Sequence, residues 1–207
     1  MKKTLILIFS LFISLSYSQT SKEYTQKGRE LIDKREYMEA ILNLNRAIEM
    51  DAKNSSAYFL RGNLKEKFED LHGAMKDYNL AIESNPKSAD AFFFRGNVKM
   101  RLQDYYGAIE DFSSAISANE NYVEAYFSRG KAKQLLLAYE DAINDVSKII
   151  QLNPKNVDAY YMRGILRIDF GDTKNGCLDL SKAGELGDLR AYEMIKEKCN
   201  TKTAGND

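Results

Sequence analysis

The chain contains no tryptophan, one histidine, two cysteines and two prolines in 207 residues. One histidine and two cysteines leave little material for a histidine-centred catalytic site or a closed zinc site. Two prolines and twelve glycines impose few obligatory breaks, which favours helices over a many-stranded sandwich. Net charge is also missing: thirty basic side chains balance thirty acidic ones, so no global field draws the chain to nucleic acid or an anionic membrane. What is present is 44% hydrophobic and 29% charged residues, enough apolar surface for a continuous core.

The first residues read as an address. Lys2 and Lys3 precede an uncharged, mostly apolar run from Leu5 to Leu15, and Ser16 and Ser18 flank Tyr17 before Gln19. This is a secretory signal peptide pattern with cleavage expected after Ser18, so residues 1–18 are assigned to it. The run is shorter than the roughly 20 residues that span a bilayer, so no permanent membrane anchor is expected. No cysteine lies at the junction to carry a lipid. The expected destination is an exported, oxidising space, periplasmic or secreted. Loss of Lys2 and Lys3 leaves 28 basic against 30 acidic residues.

A 34-residue period organises the rest. Gly28, Gly62, Gly96, Gly130 and Gly164 fall at that interval, as do the aromatics Tyr24, Tyr58, Phe92, Tyr126 and Tyr160 four residues earlier. Ala40, Ala74, Ala108 and Ala142 follow twelve residues after the glycines, with Gly176 in the fifth copy. Pro86 and Pro154, two periods apart and each after an asparagine, mark equivalent helix stops. Apolar spacing inside a copy is helical: Tyr58, Gly62 and Leu64 belong to one segment, and Ala74, Tyr78, Ala81 and Ile82 to another. Each copy is thus a helical hairpin. Its small residues allow close helix approach, and stacking of neighbours buries the remaining apolar face.

The pattern of Tyr58, Gly62, Leu71, Ala74, Tyr78, Ala81 and Pro86 resembles the tetratricopeptide repeat. The resemblance covers about Ser21 to Arg190 and implies an all-α fold, an α-solenoid of five hairpins plus a C-terminal capping helix. The expected repeats are about 21–54, 55–88, 89–122, 123–156 and 157–187, with the cap at 188–199 and a flexible tail at 200–207.

The chain carries Lys27, Arg61, Arg95, Arg129 and Arg163 directly before the repeat glycines. Each arginine has an aspartate sixteen residues later, Asp77, Asp111, Asp145 and Asp179, where the first repeat has Asn43. Placed about equally far from the hairpin turn on antiparallel helices, the two types meet within a repeat or with the next. They are read as structural ion pairs, against a row of ligand-binding arginines. Lys65, Lys99, Lys133 and Arg167, one turn further, form a second basic column. It reads as a solvated face, or as a strip for phosphate or acidic peptide. No RNA-binding aromatic signature accompanies it, so no nucleic-acid partner is expected.

The resemblance also implies that the residue after the repeat aromatic and the residue after the glycine face a concave groove. Here these are Phe59, Phe93, Phe127 and Tyr161, with Asn63, Asn97 and Lys131, and with Lys67 and Arg101 one turn on. Such a groove would hold a peptide or a segment of another protein through aromatic anchors, asparagine pairing to peptide backbone, and cations favouring acidic groups. Packing of the aromatics between repeats is the alternative. Thr25 and Arg29 stand where a carboxylate-clamp groove has lysine and asparagine, so that clamp is not implied.

Asp188 begins a last amphipathic stretch in which Leu189, Tyr192 and Ile195 are expected to cover the final repeat. Cys177 and Cys199 lie on either side of Gly187 and would be side by side in an antiparallel pair. An exported setting makes a disulfide between them the expected state, with two buried free thiols as the alternative. His72 reads as a surface residue, no phosphate-cradling glycine loop is present, and no catalytic residue, metal or cofactor is assigned. The resulting expectation is a noncatalytic scaffold for another protein or peptide. Glycan or small-molecule binding through the aromatic column, or a structural place in an envelope complex, are the alternatives.

Overall fold

The computed structural model describes residues 21–199. The segments expected to be a signal peptide (1–18) and a tail (200–207) lie outside the described residues. Every regular element among those described is a helix: α1 (21–33), α2 (Tyr37–Met50), α3 (Ser55–Lys67), α4 (Leu71–Ser84), α5 (Ala89–Arg101), α6 (Tyr105–Ala118), α7 (Val123–Leu135), α8 (Tyr139–Leu152), α9 (Val157–Asp169), α10 (Thr173–Glu185) and α11 (Leu189–Lys198). The helix starts at 37, 71, 105, 139 and 173, and at 55, 89, 123 and 157, keep the 34-residue step of the sequence. The chain divides between Val98 and Lys99 into two compact units.

The turns explain why helices end where they do. The first helix of each pair closes with a backbone amide bonded to the carbonyl five residues earlier: Glu36 to Leu31, Asp70 to Lys65, Asp104 to Lys99, Ala138 to Lys133 and Asp172 to Arg167, at 2.8–2.9 Å. That closure requires a left-handed residue just before the amide. Arg35, Glu69, Gln103 and Leu137 adopt it with φ of 59–65°, and only the fifth turn uses glycine, Gly171. The second helices then start on aspartate caps, Asp70 to the Gly73 amide, Asp104 to Gly107 and Asp172 to Asn175. Ala138 makes no such bond for α8. Between repeats, Asp51, Asn85, Asn119 and Asn153 each accept the amide two residues on, which shapes the turns containing Pro86 and Pro154.

In the first unit the core runs through Leu31, Ala40, Leu44, Ala47, Ala57, Leu60 and Leu64, continuing through Tyr58, Ala81 and Ala91 and through Ala74, Tyr78 and Val98. Ala40 and Ala74 are fully buried. A Cβ on Gly28 would lie 2.8 Å from Leu44, and one on Gly62 2.7 Å from the Tyr78 ring, so the glycine column marks where the paired helix pushes a large side chain against the backbone.

The second unit repeats the arrangement with Ala108, Phe112, Val146, Ile149, Leu166 and Leu180 buried. Gly164 faces Leu180 at 2.9 Å, whereas Gly130 meets Val146 only at 3.4 Å. The fifth repeat replaces the column alanine by Gly176 because its helices approach more closely. A Cβ there would sit 2.8 Å from the Gly164 carbonyl oxygen.

Candidate interaction surface

The repeat arginines are engaged by their own chain. Arg61 donates from Nε to Asp77 Oδ2 at 2.8 Å and from Nη2 to Oδ1 at 2.7 Å. Its remaining Nη1 reaches back to Asn45 Oδ1 on α2 at 2.7 Å, and its guanidinium lies over the Tyr58 ring. Arg129 does the same with Asp145, Ser113 and Tyr126, and Arg163 with Asp179, Ser147 and Tyr160. These pairs form within a repeat. Arg95 and Asp111 belong to different units; Arg95 donates to Asn79 at 2.7 Å and lies over Phe92, and Asp111 receives Lys99. The hydrogen bonds to Asp77 raise the Arg61 guanidinium above its ordinary pKa, against the opposing effect of burial.

The second basic column departs from its sequence reading. Lys65, Lys99, Lys133 and Arg167 reach Asp77, Asp111, Asp145 and Asp179 at 2.9, 2.9, 2.8 and 2.6 Å. They form neither a solvated face nor a free strip for phosphate. Each aspartate is buried, from 0% to 5% exposed, and a buried carboxylate with two oxygens to satisfy draws in a second cation. The backward bridge to Asn45, Asn79, Ser113 and Ser147 is equally absent from the sequence reading, although these four residues also recur every 34 positions.

The column expected to face a partner is half-buried throughout at Phe59, Phe93, Phe127 and Tyr161. Phe59 packs on Tyr78 and Phe94 with ring centroids 6.1 and 5.4 Å away, which is the inter-repeat packing role at that position. Phe93 makes an edge contact with Phe94 at 5.5 Å. Tyr161 lies beneath the Arg190 guanidinium, 4.6 Å from the ring centre. Asn63 Oδ1 accepts the Tyr78 hydroxyl at 2.8 Å, leaving its amide nitrogen for other work. Lys67 is exposed and rests over the Tyr37 ring at 5.0 Å. Arg101 and Lys131 are exposed, and Asn97 is half-buried.

Two cavities lie in the first unit. One of about 510 Å³ is lined by Ser21, Lys22, Thr25, Arg29, Lys53 and Asn54, and so contains Thr25 and Arg29, the first-repeat counterparts of Phe59 and Asn63. Its floor is internally bonded: Asn54 donates to Ser21 and Thr25, and Ser21 to the Ala47 carbonyl. The other, about 520 Å³, is bounded by Arg35, Tyr37, Met38 and Phe68. Met38, Leu42 and Phe68 are exposed apolar residues that helical periodicity alone does not single out.

At the C-terminal end Cys177 and Cys199 are joined in a disulfide, with Cα atoms 6.0 Å apart. The cap differs from expectation in which residues it buries. Ala191 is fully buried, while Leu189 and Tyr192 are 77% and 57% exposed. Tyr192 instead lies across Gly184 and donates its hydroxyl to that carbonyl at 3.2 Å. Among the described residues no helix is long and apolar enough to cross a membrane.

Helical pairs repeating every 34 residues, with small residues at the intrapair contact, define an all-α solenoid class. Within that class the chain belongs to the tetratricopeptide repeat family: two models of the repeat match, one over residues 25–89 and one over 89–122. The crystal structure of YrrB, a TPR protein with an unusual peptide-binding site, is similar with a TM-score of 0.75 and 22% identity, covering 84% of this chain and 90% of that one. MamA matches with a TM-score of 0.75 at 20% identity over 91% of this chain and 99% of its own. PilF of Pseudomonas aeruginosa matches at 0.72 and 13% identity, over 89% and 88%. No curated protein sequence matches the chain. At these identities the likeness concerns the fold.

Proposed function

We propose that the protein is a noncatalytic scaffold that holds a peptide or a segment of a partner protein along the first helices of its repeats, in an exported compartment. The tetratricopeptide fold supports protein interaction in general. The observation that carries the finer reading is the saturation of the arginine column. With Arg61, Arg129 and Arg163 and their neighbouring cations engaged by buried aspartates, the proposed contact turns from the arginine column to other residues of the first helices. It falls on the half-buried Asn97 in the first unit and on the half-buried Phe127 and the exposed Lys131 in the second. Aromatic anchors with neighbouring amides and cations suit an extended peptide bearing acidic groups. The exported setting rests on the N-terminal Lys2, Lys3 and apolar-run pattern. Packing of Phe59 against Tyr78 and Phe94 weighs against a continuous row of sugar-stacking rings.

Affinity capture from the native envelope, compared between the wild type and Phe127→Ala and Asn97→Ala variants of unchanged helicity, tests this role. Loss of a specific captured protein from both variants is the expected result. Equal capture by all three would move the contact to another surface.

A further inference from the structure

The C-terminal helix is held by few noncovalent contacts. Of the ten residues of α11, Ala191 alone is buried, Met194 and Ile195 are half-buried, Leu189 is 77% exposed, and Tyr192, 57% exposed, rests on Gly184. A helix this short has little stability of its own. Arg190 pairs with Asp158 at 2.6 Å, but both side chains are more than half exposed, where water and salt screen the attraction. The covalent link from Cys177, early in α10, to Cys199, just past α11, therefore dominates the restraint at the far end of the helix. Cys177 and Cys199 are each half-buried rather than fully enclosed.

What α11 covers gives the restraint a consequence. Through Arg190 it sits on Tyr161 and Asp158 of α9, and Tyr161 is the fifth-repeat member of the aromatic column. We propose that the Cys177–Cys199 disulfide is a redox-sensitive clasp whose reduction by a dithiol frees α11, uncovers Tyr161 and releases Asp158 from its pair with Arg190. The attacking thiolate forms a mixed disulfide with one cysteine sulfur, and the other leaves as a thiolate that takes up a proton. The reductant's second thiol then closes on its first, so two electrons and two protons pass to the chain, which ends with two thiols while the reductant ends as a disulfide. The clasp stands apart from the scaffold role; only its effect on binding rests on that reading.

The test compares the intact purified protein, oxidised or reduced with dithiothreitol, with a Cys177→Ser, Cys199→Ser variant. Alkylation and intact mass verify the thiol state. Hydrogen exchange follows the amides, and tetranitromethane nitration follows Tyr161. In the reduced protein and in the variant, amides 189–198 are expected to exchange at least about tenfold faster, Tyr161 to nitrate faster, and α7 and α8 to keep their protection. Exchange of 189–198 within about twofold of the oxidised protein, with both thiols alkylated, would overturn the proposal. So would loss of protection throughout α7 to α10, which would make the bond a requirement of the fold.

Discussion

Arg129 meets Asp145 through two parallel hydrogen bonds, Nε to Oδ2 at 2.9 Å and Nη2 to Oδ1 at 2.6 Å, while Lys133 closes on Oδ2 at 2.8 Å from the next turn of the same helix. The aspartate is 4% exposed. Removing the arginine leaves a buried carboxylate with one cation and an unsatisfied oxygen. Arg129→Ala is expected to cost about 2–4 kcal/mol, read as a lowered urea midpoint. Arg129→Lys should recover only part of this, because an ammonium cannot make the fork. A variant that melts like the wild type would return the arginine to the ligand-binding role.

The repeat glycines differ in how much room they have. Gly62→Ala drives a methyl to 2.7 Å from the Tyr78 ring and is expected to destabilise by about 1–3 kcal/mol. Gly130→Ala meets Val146 and Met162 at 3.4 and 3.5 Å, and should gain up to about 1 kcal/mol from helix propensity. Paired thermal melts of the two variants check the contrast in sign.

The fourth hairpin turn carries two local weaknesses. Leu137 is left-handed, with φ of 59°, and is 70% exposed, so Leu137→Gly should relieve about 1 kcal/mol. Ala138→Asn supplies the missing cap of α8 and should add about 1 kcal/mol. Asparagine is chosen over aspartate because Asp141 already stands at the third helical position. Denaturant midpoints of each variant and of the double variant test both effects and their additivity.

Tyr78 gives a pH signature. Burial, then the Glu66 carboxylate 2.9 Å from its hydroxyl, push the phenol well above its ordinary value. The folded chain therefore keeps this proton where the unfolded chain releases it. The associated stability is complete below about pH 10, the ordinary tyrosine value, and is lost as pH rises through the alkaline range. Tyr78→Phe should flatten that alkaline loss of stability, measured by urea titration at successive pH values.

Asp188 works in the opposite direction. Its hydrogen bonds from the Arg190 side chain come first among the influences that hold its carboxyl below the ordinary value. Stability from this contact is present above the ordinary carboxylate range and falls away as the group protonates in acid. Arg190→Ala should weaken that dependence in the exchange of α11 amides measured between neutral and acidic pH, the backbone amide of residue 190 still bonding the carboxylate.

The hairpins were legible because small residues at a fixed interval have one economical physical cause, close helix contact, which Gly62 against Tyr78 displays. The arginine and aspartate partners were legible for a similar reason, since their sixteen-residue offset straddles an antiparallel turn. Lys65 was misread because charge spacing does not reveal that a buried carboxylate has an oxygen left for a second cation. The left-handed turn residues Arg35, Glu69, Gln103 and Leu137 escaped notice because none is glycine, and the surrounding hydrogen bonds impose the conformation. On the cap, helical period pointed to Leu189, yet the tight approach to α10 is made through Ala191 and the tyrosine lying flat on Gly184. Asn63 was assigned outward but is partly taken up by Tyr78, a hydrogen bond that depends on which ring occupies one column in one repeat.

The backward reach of Arg61, Arg95, Arg129 and Arg163 to Asn45, Asn79, Ser113 and Ser147 gives the array a direction. Each newcomer grips a helix that precedes it, so a chain emerging amino end first finds every acceptor already in place. Trimming from the carboxyl end leaves earlier grips intact, whereas trimming from the amino end robs the next guanidinium of its anchor.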